Sequence, residues 1–274
     1  MVTDPLGTLS CAHSSNQVKR VVPGTLVHEF QHMISYNQHV RIRHTKAEVL
    51  WLNEALSHYA EELGGRTYLP DTATFCNYIS GDMYNAGQYF MAPGTYPLVD
   101  TAGIGGLANR GAGWLFVRYL VDRFGLDTSL ASQNAFTRAL DGTTATGTAN
   151  VAQLTGAPFA TTAEEWALAN WVSDLPGFAA PQALKYRKWA FRTAFPKLSA
   201  KCGASIPTSF PLAAAADAGP TINLSGTMTS GSGAAYQRAL QGPSADRFTL
   251  LFSNGTGAQL QATVLPRLNV LRIR

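Results

Sequence analysis

At 274 residues, 46% hydrophobic and 14% charged, the chain is long enough to bury a core and too apolar for an acidic disordered protein or a coiled coil. A net charge of +4 over that length, with no dense basic cluster, excludes nucleic acid as the expected partner. No apolar run reaches the roughly 18 residues of a membrane span, and the opening MVTDPLGTLS has neither the basic nor the apolar region of a signal peptide.

Residues 1–24 read as a polar, turn-rich segment ending at Pro23-Gly24. Over 25–37, Leu26, Val27, Phe30, Met33 and Ile34 recur at helical spacing, with Thr25 as the expected N-cap. Residues 38–45 form a basic, polar loop. Thr45 and Glu48 match a capping box ahead of a helix through Val49, Leu52, Ala55, Leu56, Tyr59, Ala60 and Leu63, which Gly64-Gly65 should stop.

Residues 66–109, rich in Tyr, Gly and Pro, read as a long irregular segment, such as a cleft wall. Residues 113–124 predict a buried helix ended by Gly125, with further helices over 129–140, 162–174 and 182–194. Composition shifts near residue 204. Strand-like pieces at 220–228, 234–240, 247–253 and 258–273 then alternate with turn signals. The expected organisation is α+β: an α-rich domain over 1–204 and a small β-sandwich-like module over 205–274. That module is a structural cap or a binding module, with Tyr236 and Phe248 as its exposed-looking aromatics.

Cys11, Cys76 and Cys202, with no Cys-x-x-Cys pair, exclude a thiolate zinc knuckle. They allow one disulfide and one free thiol, or three thiols, and leave the redox compartment open.

The chemistry lies in His28-Glu29-Phe30-Gln31-His32. Histidines four apart on a helix share one face, so both imidazoles reach one ion. Glu29, turned about 100° from His28, is placed to act on a water at the metal without ligating it. A catalytic zinc needs a third protein ligand and an open position. Glu54 in WLNEALSHYAEEL supplies it if the second helix turns back antiparallel to the first. Leu50, Glu54, Ser57, His58 and Glu61 share one stripe of that helix, with His58 and Glu61 as partners behind the ligands. His58 is the alternative third ligand.

HEFQHMISY followed by WLNEALSHYAEEL resembles the gluzincin metallopeptidases, specifically the hyicolysin-like peptidases. The resemblance is strong over about 20–65 and extends weakly to RGAGWLFVRYLVDRFG at 110–125. It implies a zincin-type domain with zinc held by His28, His32 and Glu54, Glu29 as general base, and Asn53 beside the ligand glutamate. It also implies a protein or peptide substrate and an extracellular or cell-envelope setting. Ser35 and Gln38 stand where a metzincin needs Gly and a third His.

Three departures stand out. His58 occupies the position of the family's aspartate, four residues after the ligand glutamate. No histidine follows His58 to stabilise an oxyanion, which leaves Tyr78, Tyr84, Tyr89, Tyr96 and Tyr119 as candidates. Only 27 residues precede His28, too few for the family's N-terminal sheet, so a truncated remnant is expected there. The rival readings are a non-catalytic zinc-binding or adhesion protein and a zinc hydrolase of non-peptide substrates.

Overall fold

The computed structural model describes residues 13–100, 103, 105–218, 229, 231, 234–240, 253 and 266–273. Among these, eight α-helices and one two-stranded sheet form: α1 Ser15–Tyr36, α2 Leu50–Arg66, α3 Thr72–Met91, α4 Leu107–Phe124, α5 Leu130–Asp141, α6 Gly147–Thr155, α7 Phe159–Val172 and α8 Phe191–Cys202, then β1 Ala215–Ala218 and β2 Gln237–Leu240. The fold is helix-rich, with a minor β component. No helix among the described residues is long and apolar enough to cross a membrane.

The metal-motif helix starts ten residues before its expected start. Ser14, extended, accepts from the Gln17 amide at 3.2 Å and caps α1. Pro23 and Gly24 lie inside the helix, and Thr25 is not a cap but a helical residue donating to Val21 O. Residues 15–24 are therefore helix rather than turns, and no strand precedes α1 among the described residues; residues 1–12 lie outside them. At its C-terminal end α1 passes directly into a six-residue π-helical turn, Asn37–Ile42, where a loop was expected.

The apolar stripe of α1 is a second correction. Leu26, Phe30, Met33 and Ile34 are exposed, whereas Gln31 and Ser35 are buried. The helix is rotated so that its histidines and Gln31 face α2. Its hydrophobic residues do not serve the core described here.

In α2, Val49 rather than Thr45 precedes the first turn, and no capping box forms. The Glu48 carboxylate instead accepts from the Val49 amide, the Gly147 amide and Asn150 Nδ2 at 2.6–2.7 Å, tying the start of α2 to α6. The helix runs through Gly64 and Gly65 to Arg66, and α3 packs so closely there that a Cβ on Gly65 would lie 2.8 Å from Tyr78 Cβ.

The 66–109 segment is not irregular. Its middle is the twenty-residue α3, capped by Asp71, with Phe75, Ile79, Met83, Ala86 and Phe90 on its buried side. The apolar period was present, but the Tyr and Gly content obscured it. Helix α4 is buried along most of its length, and it lies against both α2 and α3. Two glycines permit this approach: a Cβ on Gly111 would come within 2.2 Å of the Asn85 carbonyl, and one on Gly113 within 2.9 Å of Ala55 Cβ.

The predicted helix over 182–194 reduces to a 3₁₀ turn at Gln182–Leu184, and α8 begins only at Phe191. Cys76 and Cys202 form a disulfide joining α3 to α8, and Cys11 lies outside the described residues. Beyond residue 204 the chain first packs into the helical core through Ile206 and Leu212. β1 and β2 then pair in parallel, Ala215 opposite Gln237. Tyr236 is not an exposed platform; it packs on Trp171 and its hydroxyl donates to Ala167 O at 2.7 Å. The strands expected at 220–228, 247–252 and 258–265 lie outside the described residues, as does Phe248, whereas 266–273, also expected as strand, form none.

Candidate metal centre

Helices α1 and α2 run side by side and bring three donors to one point. His28 Nε2 and His32 Nε2 are 3.2 Å apart, and the Glu54 carboxylate lies 3.7 Å from the first and 3.5 Å from the second. A tetrahedral zinc with bonds of about 2.0–2.1 Å needs donor–donor edges of about 3.3–3.4 Å. The His28–His32 separation lies near that value, and a different Glu54 oxygen faces each imidazole, Oε2 at 3.7 Å and Oε1 at 3.5 Å, so the three side chains fit a zinc ion. All three side chains are only partly buried, which leaves a side open to solvent.

The imidazole tautomers follow from what lies behind them. His28 Nδ1 is 2.8 Å from Glu61 Oε1, a carboxylate that only accepts, so Nδ1 carries the proton and Nε2 keeps its lone pair. On His32, Nδ1 is 3.1 Å and Nε2 3.4 Å from Ser57 Oγ. Ser57 donates its own proton to Gln31 Oε1 at 2.7 Å and can therefore accept from Nδ1, the nearer nitrogen. Gln31 is held in turn by Asp141 Oδ2 at 3.4 Å. Two lone pairs and a carboxylate thus face one another, a repulsive arrangement that a cation relieves.

His58 does not join them. Its Nδ1 lies 3.1 Å from Glu61 Oε1 and 3.0 Å from Asp82 Oδ1, on α3. Burial opposes a charge on this imidazole, but the hydrogen bonds and charges of Asp82 and Glu61 outweigh it and push its pKa up to about 10. His58 is then an imidazolium with no lone pair at Nδ1. The cluster of His28, His58 and Glu61 reads as a held proton rather than a second cation site. Glu61, one turn beyond the expected aspartate position, is the carboxylate that orients His28.

Glu29 is exposed beside His28. Asn53 is half-buried at the start of the same turn as Glu54. The tyrosines separate clearly. Tyr89 is sealed in the core against Trp166. Tyr119 donates to Ala183 O and Glu165. Tyr78 packs at Gly65 and stacks on Tyr68. Tyr84 and Tyr96 are half-buried, and neither makes a hydrogen bond to the three donors among the described residues.

Two residues escaped the sequence reading. Asp82 sat in the stretch read as irregular, although its helical phase with Ile79 and Met83 would have marked it as a buried carboxylate. Arg110, on α4, has Nε 3.8 Å from Glu54 Oε2. It lines a cleft of about 230 Å³ with Glu54, Leu50, Trp51, Leu98 and Asp100.

No family model, no curated protein and no solved structure matches the chain.

Proposed function

We propose that the chain is a zinc-dependent metallopeptidase of the gluzincin type, with a zincin-like helical domain, acting on protein or peptide substrates. The observation that carries the reading is the convergence of His28 Nε2, His32 Nε2 and Glu54 at edges of 3.2, 3.7 and 3.5 Å, each imidazole backed by an acceptor. When bound, zinc would polarise the scissile carbonyl and acidify a water.

The chain's own residues would do the rest. His28, His32 and Glu54 hold the ion; Glu61 and Ser57 fix the two rings. Glu29 takes a proton from the attacking water as its oxygen adds to the carbonyl carbon. As the C–N bond breaks, Glu29 passes that proton to the departing amine. A Cys76–Cys202 disulfide supports an oxidising, extracellular or envelope setting.

The test is hydrolysis of unfolded casein by the wild-type chain, by the chain with a zinc chelator, and by Glu29→Gln. Activity that needs both zinc and Glu29 is expected. A folded, zinc-loaded wild type with no activity on casein or on short peptides would leave the reading as a non-catalytic zinc-binding scaffold.

A further inference from the structure

Hydrolysis of a peptide drives the carbonyl π pair onto oxygen, and that developing charge needs a donor besides the metal. No histidine follows His58, and the hydroxyls of Tyr89 and Tyr119 are sealed or engaged. Among the described residues, the arginine beside the donor set is Arg110.

Three features set it apart. Its Nε is 3.8 Å from Glu54 Oε2, which is itself 3.7 Å from His28 Nε2, so the guanidinium stands one carboxylate away from the metal position. Among the described residues it makes that one ion pair and no side-chain hydrogen bond, so its N–H groups are uncommitted. Its side chain is 41% exposed and opens on the cleft that Glu54 also lines.

A structural role explains the placement poorly. A fixed positive charge beside a ligand carboxylate competes with the zinc for that carboxylate. At that exposure it adds little stability as an ion pair. The position is nevertheless built: Gly111 and Gly113, on either side of Ala112, let the start of α4 press against Asn85 and Ala55, and this carries Arg110 up to Glu54.

We infer that Arg110 is a catalytic residue that donates to the substrate oxyanion, an assignment that rests on the peptidase reading above. Water oxygen bonds to the carbonyl carbon as Glu29 takes its proton, and the π pair moves to oxygen, to which the Arg110 N–H groups donate hydrogen bonds. The pair then returns as the C–N bond breaks, and the amine leaves with the proton from Glu29.

The experiment measures steady-state kinetics on a casein-derived peptide, with zinc affinity of the apo chain by chelator competition, for wild type, Arg110→Ala and Arg110→Lys. For Arg110→Ala the expected result is a kcat lower by about 10²–10³. KM should stay within about threefold, zinc should bind at least as tightly, and added guanidinium should restore at least about tenfold in rate. Arg110→Lys, which keeps the charge but not the fork, should fall between the two. An Arg110→Ala kcat within about threefold of wild type would sink the assignment while the peptidase reading stands. So would weakened zinc binding whose activity returns with excess zinc. An inert but zinc-loaded wild type removes both the reading and this inference.

Discussion

His28 Nε2 and His32 Nε2 face each other at 3.2 Å with their Nδ1 atoms tied back to Glu61 and Ser57. With their protons on the Nδ1 side, the two Nε2 lone pairs and the Glu54 carboxylate face one another, an arrangement that a cation would relieve. His32→Ala or Glu54→Gln should therefore weaken zinc binding by several orders of magnitude. Each should leave the apo fold intact, since both side chains are partly exposed. Chelator competition and the thermal melt of the metal-free chain check the two halves separately. Unchanged zinc affinity in either variant would remove the centre.

Asp82→Asn tests the layer behind the ligands. Without the Asp82 carboxyl, 3.0 Å from its Nδ1, His58 is left with Glu61 and draws that carboxylate away from His28 Nδ1, 2.8 Å on its other side. Zinc affinity should fall by about tenfold, the usual scale for such support. Equal affinity would show that Glu61 needs no help in holding His28.

Asp141 gives the pH dependence. Burial pushes its carboxyl up to about 6 from 3.8, against the hydrogen bond from Gln31. The folded state then holds a proton that the unfolded chain releases. The contribution is fully present below about pH 4 and is lost as pH rises through 6, a cost of up to about 2–3 kcal/mol. Asp141→Asn should remove this fall, so denaturation midpoints at pH 4 and pH 7 should lie closer together than in wild type. A parallel fall in both proteins would place the effect elsewhere.

Glycines in α3 and α4 should respond in opposite directions. A Cβ on Gly81 meets nothing within 4 Å, so Gly81→Ala should stabilise by about 0.5–1 kcal/mol through helix propensity. A Cβ on Gly111 would press on the Asn85 carbonyl at 2.2 Å, so Gly111→Ala should destabilise by about 2 kcal/mol or more. Urea midpoints decide it; a neutral Gly111→Ala would mean that α3 and α4 can part freely.

The Cys76–Cys202 bridge closes a loop with a sequence separation of 126. The chain-entropy account gives such a loop about 4–5 kcal/mol. Cys202→Ala should lower the thermal midpoint by many degrees, and reductant should do the same to wild type and nothing further to the variant.

Much of the site was legible because it is local. The pairing of His28 with His32 and the stripe of Glu54, Ser57, His58 and Glu61 follow from helical spacing, and Glu54 joins the histidines once the second helix turns back on the first. The orientation of α1 was not, because its most apolar face, with Leu26, Phe30 and Met33, points away from the core while Gln31 and Ser35 point in. Asp82 and Arg110 were missed for a different reason. Each reaches the site from another helix, through crossings set by Gly65, Gly111 and Gly113, and spacing within one helix does not register such crossings. The fold after residue 65 was read where apolar periodicity was plain, as in α4, and lost where tyrosine and glycine masked it, as in α3.

The order of assembly on the ribosome follows from where the parts lie in the chain. The three candidate metal donors are all present once α2 has been made, whereas Asp82, Arg110 and Cys202 emerge later, on α3, α4 and α8. The nascent chain thus holds the three candidate donors and Glu61 before it has Asp82, which lies behind His58, or Arg110, which faces the cleft. The set of groups around the three donors is complete only once the helical portion has been synthesised.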